Sequence, residues 1–292
     1  QYRARGEERD TCMKMFGRIR LSGILRKRIW AVALIAALAV PARSLENTVA
    51  RTPPMGWNTF NQWGGNWDLP LFKMIAESLI STGLRDLGYI YVNQDGSNDG
   101  TTPYWPGTTG FVNFAKPYAD YLRPLGLKFG VYMTYPSNEQ RCAQDMADAG
   151  VDFVKVDAWT TPSEDPMWGR FRDAILAAGR PIVYSTHAKR DAAYCNMART
   201  GPDIGPMWSS IIFNFDNNYG HLRNARPGYW PDADMLQVGC RYYRTTIDLT
   251  YDESRAHFTM WCFMSSPLLI GFDLSRTHPL NKAATIEEYR QT

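Results

Sequence analysis

The chain has 292 residues with a formal net charge of +3, and 45% of its residues are hydrophobic. This is enough apolar material for one large core or two small ones. Residues 1–43 hold ten basic and three acidic side chains, whereas the remainder holds 22 basic and 26 acidic ones. The body of the chain is therefore mildly acidic and has no basic patch, which argues against a nucleic-acid partner.

The N-terminal segment has the pattern of a secretory signal peptide. A basic cluster, Arg26 to Arg28, precedes an apolar run over 29–40, and the small residue Ala42 follows it. The run has about 12 residues, fewer than the roughly 20 that span a bilayer. We therefore expect a signal peptide and upstream segment over 1–42, a linker over 43–52, and a secreted or periplasmic protein without other membrane association. An uncleaved N-terminal anchor is the alternative.

Strand-like and helix-like stretches alternate along the rest of the chain. Eight strands are predicted over 54–60, 88–95, 127–133, 151–157, 181–186, 195–199, 232–238 and 267–273. Apolar residues at three-to-four spacing predict helices over 69–87, 113–125, 139–149, 167–178, 207–215 and 252–264. Several of these helices stop at a glycine directly before the next strand, as αβ loops commonly do.

This alternation predicts a (β/α)8 TIM barrel over 53–292, because apolar strands separated by helices form a parallel sheet covered by helices. An open doubly wound sheet is the alternative. That fold would favour a glycine-rich phosphate loop after the first strand, and the sequence there contains no GxGxxG.

Carboxylates recur near the predicted C-terminal strand ends, where such barrels carry their chemistry. Lys155 and Asp157 are two residues apart on one strand and so point to the same side. The four histidines form no HxH or HExxH pattern, and GxSxG is absent. We therefore expect no metal and no cofactor. Carboxylates among aromatic residues suit glycoside hydrolysis, which uses two carboxyl groups, and imply a carbohydrate substrate.

Seven stretches, taken together, resemble the melibiase-type α-galactosidases of glycoside hydrolase family 27. They are TPPMGWNTF, GLRDLGYIYVNQD, GLKFGVY, FVKVD, ARTGPDI, GYWPDADMLQVG and SSPLLIGFDL, and they run from Arg51 to Leu274. The family carries an antiparallel β domain after its barrel. This sequence stops within the eighth helix and lacks that domain, so we expect it to be incomplete.

The resemblance implies roles for individual residues. Asp157 matches the nucleophile of a retaining mechanism and Asp203 the general acid/base. The positions that match sugar contacts are Trp57, Asp95, Tyr132, Lys155, Arg199 and Asp234. His187 is expected to contact a sugar hydroxyl or to be a hydrogen-bonded structural histidine. Lys155 should keep Asp157 ionised, whereas burial or the charge of Asp157 should raise the pKa of Asp203. The two carboxyl groups should stand about 5 to 5.5 Å apart.

The chain departs from the family around the sugar pocket. Asp95 is followed by glycine rather than by a second aspartate, His187 replaces a glutamate that reads a sugar hydroxyl, and Phe60 replaces a tryptophan. Double displacement on α-galactosides is the preferred activity. The alternatives are α-N-acetylgalactosaminides, β-L-arabinopyranosides or α-glucans, or an inactive carbohydrate-binding barrel. The sequence leaves the linkage, the disulfide pairing and the oligomeric state open.

Overall fold

A computed structural model describes residues 45, 47–96, 105–136, 138–158, 160–187, 190–239 and 249–274. The predicted signal peptide and eighth helix lie outside these ranges. The remaining strands and helices form the frame that positions the site.

Eight parallel strands form one curved sheet in the order β7-β6-β5-β4-β3-β2-β1-β8. Their bounds are β1 Met55–Asn58, β2 Tyr91–Asn93, β3 Lys128–Met133, β4 Phe153–Val156, β5 Val183–Thr186, β6 Met197–Arg199, β7 Trp230–Asp232 and β8 Leu268–Ile270. Beyond β7, Leu236 forms a parallel bridge to Ile270, and its N–H donates to the carbonyl of Leu269 at 2.9 Å. This contact joins the two ends of the sheet, which confirms the predicted barrel.

Helices alternate with the strands. They are α1 Phe60–Trp63, α2 Leu69–Ser81, α3 Phe111–Leu122, α4 Glu139–Ala149, α5 Met167–Ala177, α6 Trp208–Tyr219 and α7 Tyr251–Phe263. Single 3₁₀ turns lie at Arg85–Leu87, Arg123–Leu125 and Leu222–Asn224. The helix predicted over 69–87 therefore ends at Ser81, and the sequence does not predict α1, which occupies the end of the first predicted strand.

Local sequence chemistry fixes several helix ends. The side chains of Asp68 and Asn138 accept hydrogen bonds from backbone N–H groups in the first turns of α2 and α4. Thr250 and Glu253 form a capping box at the start of α7. Such caps satisfy donors that a helix leaves unpaired. Gly150 ends α4 at a φ of 81°, a conformation that favours glycine.

The barrel interior changes character from one end to the other. Tyr91, Phe153, Val183, Met197 and Leu269 belong to one buried apolar cluster. Because side chains alternate along a strand, the same faces of β2, β4 and β5 carry polar groups two and four residues later. On β4 the inward row therefore reads Phe153, Lys155 and Asp157, from the N-terminal end of the barrel towards the other. An apolar plug thus supports a charged layer at the C-terminal rim.

Candidate active site

A cavity of about 60 Å³ opens at the C-terminal end of the strands. Seven of the nine predicted site residues line it: Asp95, Tyr132, Lys155, Asp157, Arg199, Asp203 and Asp234. The two candidate catalytic carboxylates, from the ends of β4 and of the β6 segment, therefore face one space. The fold brings together residues that lie more than a hundred positions apart in the sequence.

Asp157 directly follows β4 and is held by a side chain from the neighbouring strand β5, because His187 Nδ1 lies 2.5 Å from its Oδ1. On the other side, Tyr132 of β3 lines the same cavity. Burial alone would raise the pKa of Asp157. The hydrogen bond from His187 and the charges of Lys155 and Arg199 outweigh burial and lower the pKa to about 2. Asp157 is therefore a carboxylate at any ordinary working pH.

Lys155 makes its direct ion pair with Asp95. Its Nζ lies 3.0 Å from Asp95 Oδ2, and the Asn58 amide donates to the same oxygen at 2.9 Å. The side chains of Lys155 and Asp95 are 18% and 2% exposed. Burial alone would lower the pKa of Lys155, but the charges of Asp95 and Asp157 raise it, so the ammonium persists. Lys155 thus acts on Asp157 through its charge.

Arg199 forms ion pairs with two further carboxylates of the cavity, Asp234 and Asp203. Its Nη2 lies 2.8 Å from Asp234 Oδ2 and 3.2 Å from Asp203 Oδ1, and it also donates to the carbonyl of Gly201. The Arg199 side chain is only 3% exposed, so removing any of these acceptors would leave a buried cation less well paired. The guanidinium therefore ties the Asp203 loop to the strand end that carries Asp234.

The surroundings of Asp203 differ from the expectation of burial. Its side chain is 72% exposed, and Arg199 is its ion-pair partner. A sugar that entered the cavity would displace water from this carboxyl group. The burial that a general acid needs would then come from the substrate and not from the fold alone.

Asp234 lines the cavity, and backbone hydrogen bonds hold its carboxylate in place. Its Oδ2 accepts from the backbone N–H of Ile204 at 2.9 Å, and its Oδ1 accepts from that of Met235 at 2.8 Å. Its φ of 78° is unusual for a residue other than glycine. The adjacent carboxylate, Asp232, accepts from the Asp234 N–H at 2.9 Å, and burial raises its pKa to about 6.

Two predicted sugar contacts are placed elsewhere. Trp57 is fully buried, packs against Trp63 and Phe72, and donates its indole N–H to the carbonyl of Phe272 at 2.9 Å. It therefore packs behind the cavity instead of facing it. His187 contacts Asp157 rather than the space where a sugar would lie.

The structure also adds residues that the sequence analysis did not select. Asn61 of α1, Ile204 and Met235 line the cavity, next to Phe60, which the sequence analysis had already placed around the sugar pocket. Asn58 and Thr59 anchor Asp95, because the Thr59 hydroxyl accepts from the Asp95 N–H at 2.9 Å. In the sequence, only the polar residues Asn58 and Thr59, which follow the apolar start of β1, indicate that Asp95 is held in this way.

Within the described ranges, no helix is both long and apolar enough to cross a bilayer. In the same ranges, no group of three or more His, Cys, Asp or Glu side chains is placed to hold a metal ion.

Fold and site together define a (β/α)8 barrel with a carboxylate-lined cavity at its catalytic rim. The model of the melibiase family described as alpha galactosidase A matches residues 52–289, and the chain belongs to this family. It is 36% identical to alpha-galactosidase 3 of Arabidopsis thaliana, over 79% of this chain and 57% of that protein. It is 31% identical to the alpha-N-acetylgalactosaminidase of Mus musculus, over 88% of this chain and 71% of that protein.

A solved α-galactosidase structure from Saccharomyces cerevisiae superimposes with a TM-score of 0.71 at 24% identity. The match covers 85% of this chain and 64% of the yeast chain, and it supports the fold alone. The chain thus spans only about 57% to 71% of the length of these proteins.

Proposed function

We propose that this chain is the catalytic barrel of a retaining α-galactosidase that removes terminal α-D-galactosyl residues by double displacement. The observation that carries the proposal is the state of Asp157. It is held anionic in a cavity that it shares with a second, solvent-facing carboxyl group, Asp203. One permanently ionised carboxylate and one available for proton exchange are what a retaining glycosidase needs.

In the first step, an oxygen of Asp157 attacks the anomeric carbon of the bound sugar. The bond to the leaving oxygen breaks, and that oxygen takes the proton of the Asp203 carboxyl group. The products are a glycosyl ester of Asp157 and the free aglycone, while Asp203 becomes a carboxylate. The hydrogen bond that positions Asp157 serves this step because a near-attack geometry lowers the barrier.

In the second step, the Asp203 carboxylate takes a proton from a water molecule that attacks the anomeric carbon. The ester bond to Asp157 breaks, the sugar leaves with its original anomeric configuration, and both carboxyl groups return to their starting states. Arg199, whose Nη2 is 3.2 Å from Asp203 Oδ1, would hold this carboxyl group in place during both steps.

The sugar hydroxyls would be read by the polar walls of the cavity. The Asp95–Lys155 pair provides an acceptor and a donor on one side, and Asp234 provides an acceptor on the other. These groups are fixed by partners within the protein, so they are preorganised for a ligand of defined hydroxyl geometry. Buried polar groups of this kind discriminate strongly against ligands that leave them unpaired.

A second candidate activity is hydrolysis of α-N-acetylgalactosaminides. The mouse relative carries that name, and His187 stands where the galactosidase pattern places a hydroxyl-reading glutamate. Since histidine replaces that glutamate and hydrogen-bonds to Asp157, position 187 would present no carboxylate to the sugar. The two activities are separated by comparing kcat/KM for the 4-nitrophenyl α-galactoside and its 2-acetamido analogue.

The test uses the full chain and a panel of 4-nitrophenyl glycosides, followed by a fluorinated galactosyl fluoride that accumulates the covalent intermediate. We expect turnover of the α-galactoside and a mass increase on the peptide that contains Asp157. Asp157→Asn should lose activity by roughly 10⁴-fold or more. Asp203→Asn should lose about 10²-fold to 10⁴-fold, and less on substrates with good leaving groups.

Asp148→Asn is the matched control, since Asp148 is exposed on α4 and its carboxylate accepts from the Gln144 side chain, away from the cavity. It should behave as wild type. Full activity of Asp157→Asn, or a product whose first-formed anomer is inverted, would contradict the proposed mechanism.

A further inference from the structure

The contact between His187 and Asp157 is imposed by the backbone of the barrel. Val156 of β4 pairs with Thr186 of β5, and the next residue on each strand is Asp157 or His187. The His187 N–H donates to the Val156 carbonyl at 3.2 Å, and the Asp157 N–H donates to the Met133 carbonyl at 2.8 Å. The ladder thus continues past the last named strand residues and sets the two side chains next to each other on the inward face.

The chemistry of the contact identifies the donor. Asp157 is ionised, so its two oxygens can only accept hydrogen bonds. The atom 2.5 Å from Oδ1 must therefore be an Nδ1 that carries a proton. Both the neutral Nδ1–H tautomer and the imidazolium meet this requirement. Charge-assisted bonds of this length are strong and directional.

We propose that His187 is a positioning residue for the nucleophile, an inference that rests on the proposed function. Its Nδ1–H fixes Oδ1 of Asp157, so that the carboxylate cannot rotate about its χ2 bond and Oδ2 attacks the anomeric carbon. His187 therefore holds Asp157 from the side of β5, while the charge of Lys155 acts on the same carboxylate.

The hydrogen bond from His187 would suppress rotation of the Asp157 carboxylate about χ2. The terminal torsion of an aspartate is broad and roughly two-fold, so an unclamped carboxylate samples many orientations. A misplacement of about 1 Å at the reacting atoms can cost on the order of 10²-fold in rate. Loss of His187 should therefore reduce kcat much more than it changes KM, because the groups that line the sugar cavity remain in place.

The test compares three substitutions of His187 that differ in where they place a donor. The side-chain amide nitrogen of asparagine can occupy the position of imidazole Nδ1, whereas that of glutamine extends to the position of Nε2. We expect His187→Ala and His187→Gln to lower kcat by roughly 10-fold to 10²-fold. His187→Asn should recover most of that loss. A merely structural histidine would not produce this ordering of asparagine above glutamine.

His221→Ala is the control, because His221 is a partly exposed histidine outside the cavity. It should keep wild-type kcat and KM. Thermal unfolding of each variant identifies a substitution that fails to fold, and His187→Asn, which keeps a donor and similar volume, then carries the test. Wild-type kcat in a folded His187→Ala protein would overturn the proposal, as would equal recovery by asparagine and glutamine.

A measurement without substrate separates this inference from the proposed activity. Proton–nitrogen NMR of the histidine side chains should show a downfield, slowly exchanging Nδ1 proton for His187, and Asp157→Asn should move it upfield. An unchanged His187 signal in that variant would refute the contact itself. If the wild type hydrolyses no glycoside while the NMR signal behaves as expected, the proposed function fails, and with it the positioning role, although the contact stands.

Discussion

Replacing Lys155 by methionine isolates the cost of an unpaired charge inside the barrel. Methionine keeps most of the volume of the lysine stem but leaves Asp95, whose side chain is 2% exposed, without its cation. At the observed 3.0 Å and an effective dielectric constant near 20, the lost attraction is roughly 5 kcal/mol. The Asn58 amide still donates to Asp95 Oδ2, so we expect a net loss of about 3 to 5 kcal/mol in the free energy of unfolding.

The assay is urea denaturation of wild type, Lys155→Met, Asp95→Asn and the double variant at neutral pH, followed by fluorescence. The double variant should be more stable than Lys155→Met alone, because asparagine removes the unpaired charge while keeping an acceptor for Asn58. Neighbouring residues of this kind couple by about 0.5 to 3 kcal/mol. The reasoning is refuted if Lys155→Met unfolds within about 1 kcal/mol of wild type, or if the two substitutions act additively.

Three further measurements probe the site. The pKa of Asp157 lies near 2, below the ordinary 3.8. Its ionised form therefore adds roughly 2 kcal/mol to the free energy of unfolding above pH 4, and this contribution is lost as the pH falls towards 2. Acid denaturation should show the loss in wild type and not in Asp157→Asn. Burial raises the pKa of Asp232 to about 6, so wild type should lose stability relative to Asp232→Asn, by up to about 3 kcal/mol, as the pH rises from 4 through 6. Equal pH dependence in denaturation titrations of the two proteins would contradict that assignment. Trp57→Phe removes the donor to the buried Phe272 carbonyl and should lower the unfolding free energy by about 1 to 3 kcal/mol without changing KM; a large rise in KM at unchanged stability would place Trp57 at the substrate instead.

Element type was readable from the sequence because apolar periodicity is a local property. The helices predicted over 139–149 and 167–178 correspond to α4 Glu139–Ala149 and α5 Met167–Ala177. Their ends coincide with residues that act alone, such as the cap Asn138 and the stop Gly150. Strand and helix boundaries that depend on contacts with distant parts of the chain could not be predicted as accurately from the sequence. The seventh strand was expected over 232–238, but β7 is Trp230–Asp232, after which Asp234 adopts a positive φ and the chain leaves the ladder.

The sequence by itself determined that Lys155 and Asp157 face the same way, since two-residue alternation needs no knowledge of the rest of the chain. It also placed carboxylates near the C-terminal ends of successive strands, and the motif resemblance selected Asp157 and Asp203 among them. Only the tertiary structure decided which partner each charge takes. His187 binds Asp157 because the register between the neighbouring strands β4 and β5, fixed by ladder hydrogen bonds, sets those side chains against each other. Lys155 pairs with Asp95 because the curved sheet brings the inward faces of β4 and β2 together across β3.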